Sequence, residues 1–403
     1  MRRMRLLYLT PRLPHASRKG DQLVPYHRLR LLAAKHEITL VSFYEQEREL
    51  DVLDELSGYC GTVVVVALGR WKPLVRVGVR APWSRSPCQV IYYDSRDFVR
   101  RVRKLARDQS FDLVHGYMLR MAQHVGRLGL PSVLEAMDSM QLRLERQIPR
   151  APLAQRVLLR EELRRIRPYE RAVGELVDHV VVVSELDARY FGGAPITTIP
   201  NGVDTETFRP RPERRAPNQI VLSGTMSYGP NIEAATWFVE RCLPRLRTEV
   251  PDASLVIAGV NPARRVRRLA QYEGVRVTGF VPAMNDVLAE GTIAIAPMLS
   301  GSGIQNKILE AMACGLPVVT TTIGVGALTA VRGRDILVAD GEEEFARAVA
   351  GLLSEPLRAE AMGRQGRDYV VATHSWERCA DQVDQIYADI HLRAPRSHRI
   401  PVG

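Results

Sequence analysis

Lys307 and Glu310 stand three residues apart in GSGIQNKILEAMACGLPVV (301–319), directly after a loop of small residues. At that spacing they are neighbours on one helix surface. The sequence predicts a helix from about Ile304 to Cys314, stopped by Gly315 with Pro317 just beyond, a common C-terminal arrangement. Ile304, Ile308, Leu309, Ala311 and Met312 supply its buried face and leave Gln305, Asn306, Lys307 and Glu310 on the other. Two chemistries fit. One is a surface ion pair worth about 0.3–0.5 kcal/mol. The other starts at the helix N-terminus, where free N–H groups and the dipole favour a phosphate. Gly301 and Gly303 let a ligand approach the backbone, and Lys307 adds a charge-assisted bond of about 1.5–3 kcal/mol. A carboxylate such as Glu310 repels phosphate but suits a vicinal diol, as acidic residues do on nucleotide ribose. Together the pair describes a nucleoside diphosphate lying along a helix, and on physical chemistry alone both chemistries stay open.

Further candidates lie in the first half. In LTPRLPHASRKGDQ (9–22), Gly20 marks a loop after a first strand. Asp21 and Gln22 could bond sugar hydroxyls there, or Asp21 could cap a helix beginning near Leu23. FDLVHGY (111–117) sets His115 at a strand end with Tyr117 beyond, and VLEAMDS sets Glu135 and Asp138 at the end of the next strand. Each could touch a bound hydroxyl; the carboxylates could equally be caps, and a lone histidine could be a satisfied, half-buried one. Cysteines 60, 88, 242, 314 and 379 are scattered, with no CxxC, which argues against a disulfide framework or zinc site. No D-x-D pair occurs, so no metal clamp on a diphosphate is indicated.

These residues need elements to hold them. At 403 residues the chain predicts two domains. Apolar runs such as 5–9, 37–43, 62–68, 112–115, 132–135 and 179–184 alternate with helical patterns, and the pattern restarts at 219–224, 254–259, 275–279, 293–297 and 317–321. Fully apolar strands separated by amphipathic helices imply parallel sheets covered on both faces. FRPRPERRAPN (208–218) reads as a linker. No apolar run is long enough to span a bilayer, and the N-terminal run is too short for a signal peptide, which predicts a cytoplasmic protein. The net charge is +11, with 51 arginines among 56 basic residues. Basic clusters at 70–80, 100–107 and 158–171 are solvated faces, or surfaces for phosphorylated substrates or an anionic membrane. No groove-reading motif accompanies them, so nucleic acid is not an expected partner.

Longer motifs add a family. KILEAMACGLPVVTT (307–321) resembles the donor-binding signature of retaining glycosyltransferases of the GT-B fold, family 4. PNGVDTETF (200–208) resembles that family's junction motif, VRVTGFV (275–281) its strand and loop beside the donor base, and SWERCADQVDQIY (375–387) its closing helix. RKGDQLVPYHRL (18–29), SGTMSYGPNIEAATWF (223–238) and SGIQNKILEAMA (302–313) together resemble a bacterial subgroup associated with exopolysaccharide and protein-sorting gene clusters. The resemblance implies an α/β, GT-B architecture of two doubly wound Rossmann-like domains facing a central cleft. It places an acceptor domain at 1–207 and a donor domain at 208–375, with a helix at about 376–392 returning to the first.

It implies retaining transfer of a hexosyl or N-acetylhexosaminyl group from a nucleoside-diphosphate sugar, such as a UDP-sugar. The acceptor is a hydroxyl on a glycan, lipid-linked or natural-product molecule, with peripheral contact at the inner membrane face. Donor contacts are expected from Gly224, Thr225, Phe280, Val281, Ser302, Gly303, Ile304, Gln305, Lys307 and Glu310. Acceptor contacts are expected from Gly20, Asp21, Gln22, Tyr117, Glu135 and Asp138, and His115 would orient the reacting sugar, joining Lys307 and Glu310 as catalytic. Neither metal nor other cofactor is expected. The family usually has a glutamate where this chain has Ser302, and an arginine and a lysine where it has VLSGTMSYGPN (221–231). A nucleotide-sugar epimerase, or a nucleotide-sugar-binding protein without activity, is the alternative on this scaffold.

Overall fold

The computed structural model describes residues 3–16, 20–301 and 304–393. They divide into two compact units: one of the chain up to Pro200 together with the segment from Trp376, the other Asn201–Ser375.

In the first unit, β1 (Arg5–Thr10), β2 (Glu37–Tyr44), β3 (Thr62–Ala67), β4 (Leu113–Tyr117), β5 (Ser132–Met137), β6 (His179–Val182) and β7 (Ile196–Thr198) form one parallel sheet. Its order is β3-β2-β1-β4-β5-β6-β7. Side chains alternate between faces, so Leu7 and Leu9 enter one core and Leu6 and Tyr8 the other. The same rule fixes the unit's polar centre. Tyr8 pairs with His115 across β1 and β4, and Tyr117 pairs with Glu135 across β4 and β5. All four side chains therefore share one face.

The second unit repeats the plan with β8 (Gln219–Ser223), β9 (Ser254–Ala258), β10 (Val275–Gly279), β11 (Ile293–Ala296), β12 (Val318–Thr320) and β13 (Leu337–Val338), all parallel. Their order is β10-β9-β8-β11-β12-β13, the doubly wound Rossmann order, whose ligand crevice opens at the carboxyl ends of the two strands where the order reverses. In the second unit those strands are β8 and β11; in the first they are β1 and β4.

The division falls at Pro200/Asn201, upstream of 207/208. Residues 201–208 are fastened to the second unit: the Val203 N–H bonds to the His374 carbonyl at 2.7 Å, and Arg367 reaches the Phe208 and Thr205 carbonyls. The expected linker at 208–218 is corrected for the same reason. Arg211 and Arg214 both meet Asp286 at 2.7 Å, and Arg215 caps the Gly315 carbonyl at 2.8 Å. The Trp376–Arg393 helix packs in the first unit, where Trp376 stacks on His27 and Asp384 meets both Lys35 and His36. Among the described residues no helix is long and apolar enough to cross a membrane.

Candidate functional site

The switch point of the second unit gathers the donor-side residues. β8 ends at Ser223, and Gly224 follows with φ +145°. A Cβ on Gly224 would lie 2.7 Å from the Asn231 amide nitrogen and 3.5 Å from Lys307 Cε. A Cβ on Gly259, at the end of β9 with φ +147°, would lie 1.7 Å from the Gly224 carbonyl oxygen. Two strand ends can approach this closely only without side chains. The turn after β8 is then pinned by Asn231, whose Nδ2 donates to the Thr225 carbonyl at 3.0 Å.

From the other side of the switch point, β11 leads through a loop to the Asn306–Ala313 helix. The helix starts two residues later than the sequence predicts. It buries Ile308, Leu309, Ala311 and Met312, which turns Lys307 in its first turn back toward the β8 side. Lys307 Nζ donates to Asn231 Oδ1 and reaches Met298 Sδ at 3.4 Å. It forms no ion pair with Glu310, so the surface-pair chemistry does not describe this site. Glu310 is half-buried, and its carboxyl has no hydrogen-bond partner among the described residues. Burial pulls the Lys307 amine down to about 8, against the opposing charge of Glu310. Burial likewise pushes the Glu310 carboxyl up to about 7, against Lys307. A half-desolvated cation and an unpartnered carboxyl, one turn apart beside a glycine-lined turn, are suited to phosphate and hydroxyl respectively.

The remaining donor-side candidates surround this point unevenly. Phe280 follows β10 at the sheet edge and is 72% exposed, with Val281 half-buried behind it. Ile304 and Gln305 lead half-buried into the Asn306–Ala313 helix. Ser302 and Gly303 lie outside the described residues. Asn231, Gly259 and Met298 were not singled out from the sequence. Asn231 stands in a quoted motif, but only the fold brings it beside a lysine 76 residues away.

The acceptor-side candidates of the first unit behave differently. His115, Tyr117 and Glu135 are sealed, at 0, 0 and 2% exposure, which corrects their placement as accessible strand-end groups. His115 is mid-strand, stacked on Tyr8 at 4.3 Å. Its Nδ1 shares a 2.7 Å hydrogen bond with the Tyr387 hydroxyl of the Trp376–Arg393 helix. Its Nε2 lies 3.4 Å from Glu135, whose other oxygen takes a 2.8 Å bond from the buried Arg28. Arg28 also donates to the Cys379 carbonyl at 2.5 Å. Burial lowers the His115 pKa. Burial alone would raise that of Glu135, but Arg28 and His115 hold it low. The hydroxyls of Tyr8 and Tyr117 and the Oγ1 of Thr10, toward the carboxyl ends of β1 and β4, are buried without a hydrogen-bond partner among the described residues, positions that ordered water commonly fills.

Gln22 is also buried, donating to the Leu13 carbonyl at 2.8 Å. Gly20 and Asp21 belong to the Gly20–Ala33 helix rather than to a loop, and Asp21 pairs with Arg12 at 3.2 Å. Asp138 is half-buried just past β5, its pKa raised by burial and then by Asp187.

Two parallel Rossmann-type sheets define the GT-B class. Sucrose-phosphate synthase from Thermosynechococcus elongatus superposes with a TM-score of 0.72 over 97% of this chain and 100% of that chain, at 18% identity. Anabaena HepE in complex with UDP gives 0.68 over 96% and 100%, at 12% identity. Residues 24–207 match the family Glycosyltransferase Family 4, and residues 217–355 match Glycosyl transferases group 1. Each match covers less than half of the chain, which is thus similar to glycosyltransferases in both of its halves. A curated relative is the GDP-mannose-dependent alpha-(1-6)-phosphatidylinositol monomannoside mannosyltransferase of Mycolicibacterium smegmatis, 32% identical over 51% of this chain and 61% of the relative. The chain thus spans about three fifths of the length of that relative.

Proposed function

We propose that the protein is a retaining glycosyltransferase that moves a hexose from a nucleoside-diphosphate sugar to a hydroxyl of a glycan or lipid-linked acceptor. The observation that carries this reading is the Gly224–Asn231–Lys307–Glu310 arrangement at the switch point of the second unit. Lys307 and the helix N-terminus take the diphosphate, Glu310 takes the ribose, and the exposed Phe280 offers the base a stacking face. Charge that develops on the leaving diphosphate is stabilised where these groups already stand. The acceptor hydroxyl attacks C1 of the sugar on the face the diphosphate leaves, and the departing phosphate oxygen accepts the hydroxyl proton. No metal takes part in this scheme.

His115 acts in the first unit as a positioning group. Its imidazole bonds Tyr387 and lies beside Glu135, with half-buried Asp138 just past β5. The mannosyltransferase relatives favour GDP-mannose as donor over the UDP-sugars considered from the sequence. The resemblance to transferases of exopolysaccharide clusters favours a glycan or glycolipid acceptor over a natural product.

A panel of GDP-mannose, UDP-glucose and UDP-N-acetylglucosamine tests the reading. The true donor at 100 times its dissociation constant stabilises the fold by about 2.7 kcal/mol, and is slowly hydrolysed without acceptor. A protein that binds the nucleotide but neither transfers nor hydrolyses any sugar would be a binding protein on a transferase scaffold.

A further inference from the structure

The carboxyl edge of the first unit's sheet carries more than its switch point. β2 ends at Tyr44 and β3 at Ala67, and the turns that follow them form, with the Cys88–Tyr93 helix, a pocket of about 480 Å³. That volume suits one small ligand. Glu45 and Gln46 line it from the turn after β2, Gly69 and Arg70 from the turn after β3, and Tyr92 from the helix. Parallel strands bring both turns to the edge where Thr10 and Tyr117 stand. β3 lies two strands from β1, a step of about 10 Å, so the pocket is separate from the crevice between β1 and β4.

The polar groups beside the pocket are engaged. Glu49 accepts the Glu45 N–H at 2.8 Å and meets Arg12 at 3.5 Å, and Arg12 meets Asp21 at 3.2 Å. The groups that line it are not. The side chains of Glu45, Gln46 and Arg70 and the Tyr92 hydroxyl form no hydrogen bond or ion pair with the described residues. Tyr92 itself is held firmly: Arg76 donates to its carbonyl at 2.5 Å, and its ring meets Tyr93 edge-on with centroids 5.1 Å apart.

This set of groups defines the chemistry of an occupant. One carboxylate and one guanidinium cancel, so the pocket favours no net charge, and Glu45 opposes a phosphate. A carboxylate, an amide and a guanidinium can each bond a pair of adjacent hydroxyls. A tyrosine ring fixed beside them supplies rigid apolar contact at low entropic cost, matching the C–H face of a sugar ring. We propose that the pocket is a second carbohydrate subsite, which holds an uncharged sugar ring of a glycan acceptor at least one ring away from the hydroxyl that reacts. Calling that glycan an acceptor rests on the transferase reading; the pocket's affinity for the ring does not.

The test is a printed array of neutral and acidic glycans, from monosaccharides to hexasaccharides, probed with the full chain and no donor. Retention is expected on neutral oligosaccharides and not on the monosaccharides beside them, because only the longer chain reaches the β1–β4 crevice as well. Tyr92→Leu, which keeps the side chain apolar but removes the ring, is expected to weaken retention by roughly tenfold or more. Glu45→Lys leaves the pocket with cations only, and is expected to weaken neutral glycans by roughly tenfold or more while acidic ones gain. Glu45 is exposed and Tyr92 half-buried, so both variants should melt close to the parent and bind GDP as it does. Retention of no glycan, equal retention of monosaccharides, or retention unchanged in either variant would overturn the proposal. If oligosaccharides are held but no sugar nucleotide is bound or hydrolysed, the subsite stands and the transferase reading falls; if a sugar nucleotide is hydrolysed and no glycan is held, the reverse.

Discussion

Burial draws the Lys307 amine down to about 8 and the Glu310 carboxyl up to about 7, so both charges are lost within easy reach of neutrality. The signs can be worked out for ligand and for fold. A phosphate favours the protonated amine, so it binds more weakly as pH rises through about 8. Ribose hydroxyls donate to the ionised carboxylate, so they bind more weakly as pH falls through about 7. Affinity for GDP is therefore expected to peak between those values, read by titration calorimetry across the range. Lys307→Arg should remove the alkaline limb and Glu310→Gln the acidic one. Glu310→Ala should weaken GDP by the loss of a charged hydrogen bond, about 1.5–3 kcal/mol, yet leave pyrophosphate binding as it was. A flat pH profile, or equal losses for GDP and pyrophosphate, would remove the ribose role. Without ligand the same shifts act on stability. The folded state holds the Glu310 proton longer than the unfolded chain, so stability falls as pH rises to about 7. It releases the Lys307 proton earlier, so stability rises again with pH above about 8.

Elements decide whether those residues meet. Gly224 and Gly259 let the ends of β8 and β9 touch, and Asn231 spans the gap to Lys307. Gly224→Ala forces a side chain into φ +145° and onto the Asn231 amide, a strain of order 1–3 kcal/mol. The expected outcome is a modestly lower melting temperature and a marked loss of nucleotide affinity, although no ligand-contacting side chain has changed. Unaltered affinity would show that the turn is not part of the site. The strands themselves were legible in the sequence, because runs such as TVVVVA and SLVIA carry their signal in a handful of adjacent residues. The Asn306–Ala313 helix was legible for the same reason, through its apolar period and its Gly315 stop. The 208–218 segment was not. Proline and arginine signal a polar stretch, but the Asp286 carboxylate that fastens it lies more than 70 residues on. Arg28 was invisible too, as one arginine among 51, until parallel register set Glu135 on the face it reaches.

At the scale of the whole molecule, each unit has its own pair of apolar cores, one on either face of its sheet. Stability and nucleotide binding should therefore separate when a mutation strikes only one unit. Glu135 is the sharpest case. It was read from the sequence as an acceptor contact, yet it is 2% exposed and bound to Arg28 and His115. Removing it as Glu135→Ala leaves the Arg28 guanidinium buried and uncompensated, a loss of about 3–5 kcal/mol for a broken buried pair. Glu135→Gln keeps the shape and one acceptor and should lose less. Denaturant unfolding of both variants measures the effect, and GDP calorimetry on the same samples should give the parent's affinity, because the Lys307 site lies in the other unit. If Glu135→Ala unfolded like the parent while the Michaelis constant for acceptor rose, Glu135 would be a ligand contact after all, exposed by a conformation in which Arg28 lets it go.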